Sequence, residues 1–195
     1  CLIETTSGTD IEAQVVGFNR GRTLLMPAGS VSGLRSQARV RPIAGQLNAP
    51  AGDELLGRVI DAKGRPIDGL GPLHTSYTTL LMGAPVNPLH RAAVNEVFDV
   101  GVRSINGLIT LGRGQRVGLF AGSGVGKSAL LGMMTRHSEA EVTVIGLIGE
   151  RGREVNDFVR DTLGPAAMKR AVVVAVPADQ PPLLRLQGND GDSHC

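Results

Sequence analysis

The residues best suited to chemistry lie in "LFAGSGVGKSALL", positions 119–131. Gly122, Gly124 and Gly126 alternate ahead of Lys127 and Ser128. The run approaches the pattern G-x-x-x-x-G-K-[ST], in which successive backbone N–H groups converge on a phosphate. Glycine serves there because the turn needs unusual dihedrals and the backbone must approach the anion closely. Lys127 is expected to pair with the β- and γ-phosphates, and Ser128 to offer its hydroxyl to Mg²⁺. A helix opening at Lys127 would aim its positive end at the same anion. The nucleotide-binding set is therefore Ala121, Gly122, Ser123, Gly124, Val125, Gly126, Lys127 and Ser128, with a nucleotide and Mg²⁺ expected there. Ala121 replaces the pattern's first glycine, which is tolerable if the backbone stays in the β region.

A phosphate cradle needs a strand before it and a helix after it. "QRVGLFA" (115–121) reads as a continuous apolar strand and "KSALLGMMTRH" as the helix, with Leu130, Leu131, Met133 and Met134 on neighbouring faces. "VTVIGLIG" (142–149) and "AVVVAV" (171–176) are apolar on both faces, as buried parallel strands are. Between them, "REVNDFVRDTLGP" puts Val155, Phe158, Val159, Thr162 and Leu163 at helical spacing, with Glu154, Asp157, Arg160 and Asp161 opposite. Gly164-Pro165 is the stop signal. Strand, helix, strand, helix, strand predicts right-handed crossovers and a parallel α/β sheet. Glu150 falls just past an apolar strand, where loops gather at the carboxyl edge of such a sheet.

Upstream the grammar differs. "IEAQVVGF" (11–18), "RTLLMP" (22–27) and "QARVRPI" (37–43) are short strands separated by turns, as in a small antiparallel sheet or barrel. "GQLNAPAGDE" (45–54) is the expected boundary. "LLGRVIDAKGRPIDGLGPL" reads as a hairpin turning at Lys63-Gly64, and 71–90 as irregular chain. "VRSINGLITL" (102–111) fits a short helix.

Composition is that of an ordinary globular chain: 195 residues, 42% apolar and 19% charged, with 27 glycines and 3% aromatics. A net charge of +2 provides no strong field toward nucleic acid or membrane. The two cysteines, Cys1 and Cys195, form no disulfide framework, which suggests a reducing compartment. No apolar run approaches the ~20 residues of a membrane helix. His137 has no nearby metal-ligand partners in sequence, and His74 and His90 lie in the irregular chain. The start at Cys1 reads as a piece of a longer chain.

"AGSGVGKS", "GLIGERGREV" and "LLGRVIDAKGRPIDG" together resemble the export ATPases of type III secretion systems, injectisome or flagellar, a family similar to the catalytic subunits of rotary F- and V-type ATPases. Ala121 is part of that family's own spelling of the cradle. The resemblance runs from about Ile3 to Leu186. It implies a P-loop NTPase (RecA-like) parallel sheet, here incomplete over 54–186, preceded by part of a small N-terminal β-barrel over 1–46, with an aberrant tail at 187–195. It implies that Lys127 and Glu150 are catalytic, with Glu150 orienting the attacking water, and that Arg151 and Glu154 shape the pocket. It also implies a cytoplasmic homohexamer peripheral to the inner membrane, working with the export apparatus, stator and stalk proteins and chaperone–cargo complexes, and no nucleic acid. The alternatives are an ATP synthase catalytic-type subunit or an inactive frameshifted fragment. A hexameric nucleic-acid translocase would want a basic, aromatic-bearing domain, whereas Phe18, Tyr77, Phe98, Phe120 and Phe158 are scattered.

Two parts of the family's machinery are expected outside this sequence. One is a second acidic residue near Mg²⁺, on a later strand; Asp179 is separated from its strand by Pro177 and Ala178 and is not taken for it. The other is a neighbour's arginine finger, worth ~10³–10⁵ in turnover. "QGNDGDSHC" departs from the family's small-residue helix. Moved by one nucleotide, codons for Gly188 to Cys195 can read Ala-Met-Thr-Ala-Thr-Ala-Ile-Ala, so a frameshift is expected, and the chain alone is expected not to hydrolyse ATP.

Overall fold

A computed structural model describes residues 1–195 except 7, 44–47, 82–86, 123 and 193–195, and except the side chains of 189–192. Near the N-terminus, β1 (Leu2–Ile3), β2 (Ile11–Asn19), β3 (Arg22–Pro27) and β4 (Val40–Arg41) form an antiparallel sheet in the order β3-β2-β1-β4, consistent with part of a barrel. Arg20 and Gly21 both have positive φ (45° and 75°), which a two-residue hairpin turn requires to match the strand twist. A bulge between Val15 and Gly17 adds local twist. Of the expected strand 37–43, Val40–Arg41 pairs, against β1.

The expected boundary at 45–54 and the irregular stretch 71–90 each contribute a strand. β5 (Asn48–Ala51) pairs antiparallel with β7 (Tyr77–Leu80), so 71–90 is not irregular throughout. Pro50 is tolerated because the pair is a two-stranded ribbon with open edges. Between them lies β6 (Val59–Ile60), followed by the expected hairpin. The Asp61 carboxylate accepts from the backbone N–H of Lys63 at 2.8 Å and of Arg65 at 2.9 Å, and Gly64 takes φ 72°. Asp68 closes this segment. Its carboxylate accepts from Arg58 Nε at 2.7 Å and Nη2 at 3.0 Å, and from Val59 N–H at 3.0 Å. The fork from Arg58 holds the Asp68 carboxyl well below the usual carboxylate range.

β8 (Val97–Phe98) and β9 (Leu111–Gly112) flank α1 (Arg103–Leu108), the short helix expected there. α2 (Lys127–His137) leads to β10 (Thr143–Ile148), then α3 (Gly152–Asp157), a π-helical turn (Phe158–Leu163), α4 (Gly164–Met168), β11 (Ala171–Val176) and α5 (Pro182–Asp192). Gly164, at φ 69°, breaks the helix as expected, but Pro165 then starts a fresh turn. α5 continues to Asp192, through the start of the segment set apart as a tail.

The parallel sheet has the order β10-β11-β6. β6 is its unanticipated member: Val59 and Ile60 lie opposite Val173 and Val174. Every residue of β11 is buried because strands flank it on both sides and helices cover it. Phe158, Leu163 and Ala167 pack on one face of this sheet, and Leu55, Leu184 and Ala28 on the other. β10 is mostly half-buried, since one of its edges carries no strand among the described residues.

The expected strand at 115–121 does not form. Gln115 to Ala121 belong to no ladder, and Val117, Leu119 and Phe120 are exposed. An apolar run becomes a strand only where a neighbour accepts its N–H and C=O groups, and no described strand lies beside it. No helix among the described residues is long and apolar enough to cross a membrane.

Candidate functional site

The cradle turn precedes α2. Gly124 and Gly126 take φ 77° and 98°, conformations closed to most side chains, and Gly126 is the residue from which α2 starts. A Cβ placed on Gly122, Gly124 or Gly126 would meet nothing within 4 Å, so the space in front of this backbone is open. No side chain caps α2 at its N-terminus. Its first-turn N–H groups therefore lack intrahelical partners and carry the helix's positive end. Ser123 lies outside the described residues.

Glu150 is brought to this end of α2 by the sheet. Gly149, at φ 77°, turns the chain out of β10, and its N–H donates to Val176 O at 2.8 Å. Ala178 N–H then donates to Glu150 O at 2.9 Å. The loops after β10 and β11 are thus stitched together at the carboxyl edge, where α/β sheets bind ligands.

Lys127, Ser128, Glu150 and Glu154 line one cavity of about 290 Å³, walled by Leu119, Leu131, Leu147, Val155 and Phe158. Two carboxylates therefore face a lysine and a hydroxyl across a half-apolar hollow. Its size is near the low end for ligand pockets, roughly 300–1,000 Å³, and suits a phosphate tail. Arg151 is exposed and does not line the cavity, but its guanidinium pairs with the lining Glu154 at 3.3 Å. Ala121, Gly122, Gly124, Val125 and Gly126 form the exposed turn above the cavity and do not line it. Asp179 is exposed in the loop after β11, also outside the cavity. Arg153 and Arg160 sit on the outer helix face, where both reach Asp157 at 3.7 Å.

The apolar wall was not singled out from sequence as part of a site. Phe158 was legible only as a core position of its helix, and it also borders a hollow of about 400 Å³ along the free edge of β10. Met134 packs in the core with Val100 and Leu111, as expected of the methionine pair, whereas Met133 faces out.

A positive-φ glycine turn opening a helix, with a Lys-Ser pair beneath it and a glutamate from the next strand, defines a nucleotide-binding α/β protein of the P-loop kind. Residues 101–189 match the ATP synthase alpha/beta family, nucleotide-binding domain. The chain is 52% identical to a flagellum-specific ATP synthase of Salmonella typhimurium and 50% identical to that of Pseudomonas aeruginosa. Each alignment covers 96% of this chain, against 43% and 42% of the relative. Among solved structures, it superposes on the assembled ATPase EscN of the enteropathogenic E. coli type III secretion system with a TM-score of 0.87 at 36% identity. That match covers 98% of this chain and 46% of EscN. A prototypical type III secretion ATPase matches at 42% identity and TM-score 0.71, over 76% of this chain and 43% of the other. The chain is thus a homologue of the flagellar and type III secretion ATPases, spanning less than half the length of the relatives it matches.

Proposed function

We propose that this chain is the ATP-binding part of a protein-export ATPase of the type III kind, flagellar or injectisome. The observation that carries the reading is the shared cavity of Lys127, Ser128, Glu150 and Glu154 under a positive-φ glycine turn. Lys127 pairs with the phosphate oxygens, and the free N–H groups of the turn and of α2 hold the remaining charge. Ser128 gives its hydroxyl to Mg²⁺, which when bound neutralises charge on the transferring phosphate. Glu150 orients a water for attack, and Glu154 holds a further water at the cavity wall. The oxygen donors fit such an ion, one hydroxyl and two carboxylates, while the Lys127 ammonium is left to pair with the phosphates.

Hydrolysis needs more than this set. The cavity lining contains no aspartate among the described residues. In this reading a further strand of a longer chain pairs with the free edge of β10 and bears the second carboxylate. A neighbouring subunit supplies an arginine. This reading makes the working enzyme a homohexamer at the cytoplasmic face of the export apparatus, acting on chaperone–cargo complexes and linked to stalk and stator proteins. The EscN structures, one of the assembled ATPase and one of it in complex with the central stalk EscO, support the assembly and the stalk partner in this reading.

The test is steady-state turnover of Mg-ATP. A chain of the relatives' full length should hydrolyse ATP and lose that activity on Glu150→Gln, while these 195 residues alone should not turn over. Turnover by the 195 residues that disappears on Lys127→Ala would overturn the need for the further strand and the partner arginine.

A further inference from the structure

α2 carries the cradle at its N-terminus, yet its packing lies at the other end. Lys127, Ser128 and Ala129 are exposed, whereas Gly132 and Thr135 are buried. At ~1.5 Å per residue the helix is a rod of roughly 16 Å, and the cradle is its unsupported tip. Its position is therefore decided where the rod is held.

At the C-terminal end, Arg136 donates to Thr162 O of the π-helical turn, and a second guanidinium gathers the carbonyls around that end. Arg170, half-buried just before β11, donates from Nη2 to Thr135 O at 2.7 Å and Ser138 O at 3.2 Å. From Nη1 it donates to Ser138 O at 3.2 Å and to Ala140 O. Thr135 is in the last turn of α2, where carbonyls have no intrahelical partner. A guanidinium there satisfies them and complements the negative end of the helix. Arg170 is itself tied to the sheet: its carbonyl accepts from Thr143 N–H at 2.9 Å, at the start of β10. The same helix end is also braced where Glu139 N–H donates to Asp99 O at 3.0 Å. There Gly101 lies so close that a Cβ would fall 2.3 Å from His137. Gly132 lets α2 lie directly against Thr162 of the π-helical turn.

We propose that Arg170 is a positioning residue for the phosphate cradle, acting through α2 by clamping its last carbonyls to the start of the parallel sheet. The hydrogen bonds of Arg170 go to Thr135, Ser138 and Ala140, none of which lines the cavity of Lys127 and Glu150, so its effect reaches Lys127 and Ser128 through the order of the helix itself. The functional consequence rests on the nucleotide reading above.

The experiment is hydrogen exchange by mass spectrometry on the 195-residue chain, together with Mg-ATP binding, for the parent, Arg170→Ala, Arg170→Lys and Lys127→Ala. In Arg170→Ala, exchange in 127–140 should rise about ten- to a hundredfold, in keeping with loss of charged hydrogen bonds, while 171–176 keeps parent protection. ATP affinity should fall by about tenfold. Arg170→Lys keeps the charge but not the planar fork, so it should recover thermal stability while exchange in 127–140 stays raised. It is the variant read if Arg170→Ala does not accumulate as folded protein. Equal loss of protection in 127–140 and 171–176 would make Arg170 a general stabiliser and overturn the proposal, as would unchanged exchange in 127–140. If Lys127→Ala leaves ATP binding intact, the nucleotide reading fails, and the exchange result still decides the role of Arg170.

Discussion

β11 buries every residue from Ala171 to Val176, whereas the run from Gln115 to Ala121, apolar at Val117, Leu119, Phe120 and Ala121, leaves Phe120 95% and Val117 57% exposed. Both segments read as strands of one sheet. The difference lies in their neighbours. β11 has β10 on one side and β6 on the other, so its N–H and C=O groups are satisfied and its side chains meet helices above and below. Residues 115–121 have no described strand alongside. Apolarity supplies a reason to be buried, but the ladder decides whether burial is possible, because unpaired backbone groups are costly away from water. The cradle therefore lies between a run that no described strand accompanies and a three-stranded parallel sheet.

The largest expected contrast uses two phenylalanines. Phe158 is 4% exposed and packs on the sheet. Phe158→Ala should cost ~3–5 kcal/mol in urea unfolding, whereas Phe120→Ala should stay within ~0.5 kcal/mol. Comparable losses would mean that Phe120 is packed in solution and that 115–121 joins the sheet unaided. Gly132→Val tests the next contact, since its Cβ would fall 2.1 Å from Thr162 Cγ2. Overpacking of this kind costs ~1–3 kcal/mol, read as a lower thermal midpoint with the β-sheet dichroism kept. A smaller effect sharpens the account of β6, the strand beside β11. The Asp68 pKa is depressed in the folded state by Arg58, so its stabilisation is complete above the unfolded value near ~4 and is lost as pH falls below it. The parent should lose stability on acidification below about pH 4, and Asp68→Asn should lose less over the same window. Parallel pH profiles for the two proteins would exclude the pair as a lock on β6.

Much of this was legible in the residues themselves. Six consecutive apolar, mostly β-branched residues at 171–176 have few alternatives to an inner strand, and the spacing of Val155, Phe158, Val159 and Leu163 announces the face that covers it. The address of the cradle was equally plain, because glycine alternation ending in Lys-Ser has a physical purpose. β6 was hidden because two residues carry no period, and because its hairpin chemistry from Asp61 to Arg65 reads as a local turn. β5 and β7 were masked by the prolines and small polar residues around them. The apolar wall of the cavity was invisible as a site, since leucine and phenylalanine at core spacing look alike whether they back onto a ligand or onto another side chain. The failure at 115–121 has a different origin: strand formation depends on partners, and no local pattern reports whether they are present.

The central claim is that Lys127, Ser128 and Glu150 converge on one nucleotide. Equilibrium dialysis of Mg-ATP against the parent, Lys127→Ala and Glu150→Gln tests it most directly. The account predicts saturable binding by the parent and at least about a tenfold loss on Lys127→Ala, the scale of one charge-assisted contact. Glu150→Gln should bind almost as the parent does, because its role is to orient water. Binding that is indifferent to Lys127→Ala would contradict the account.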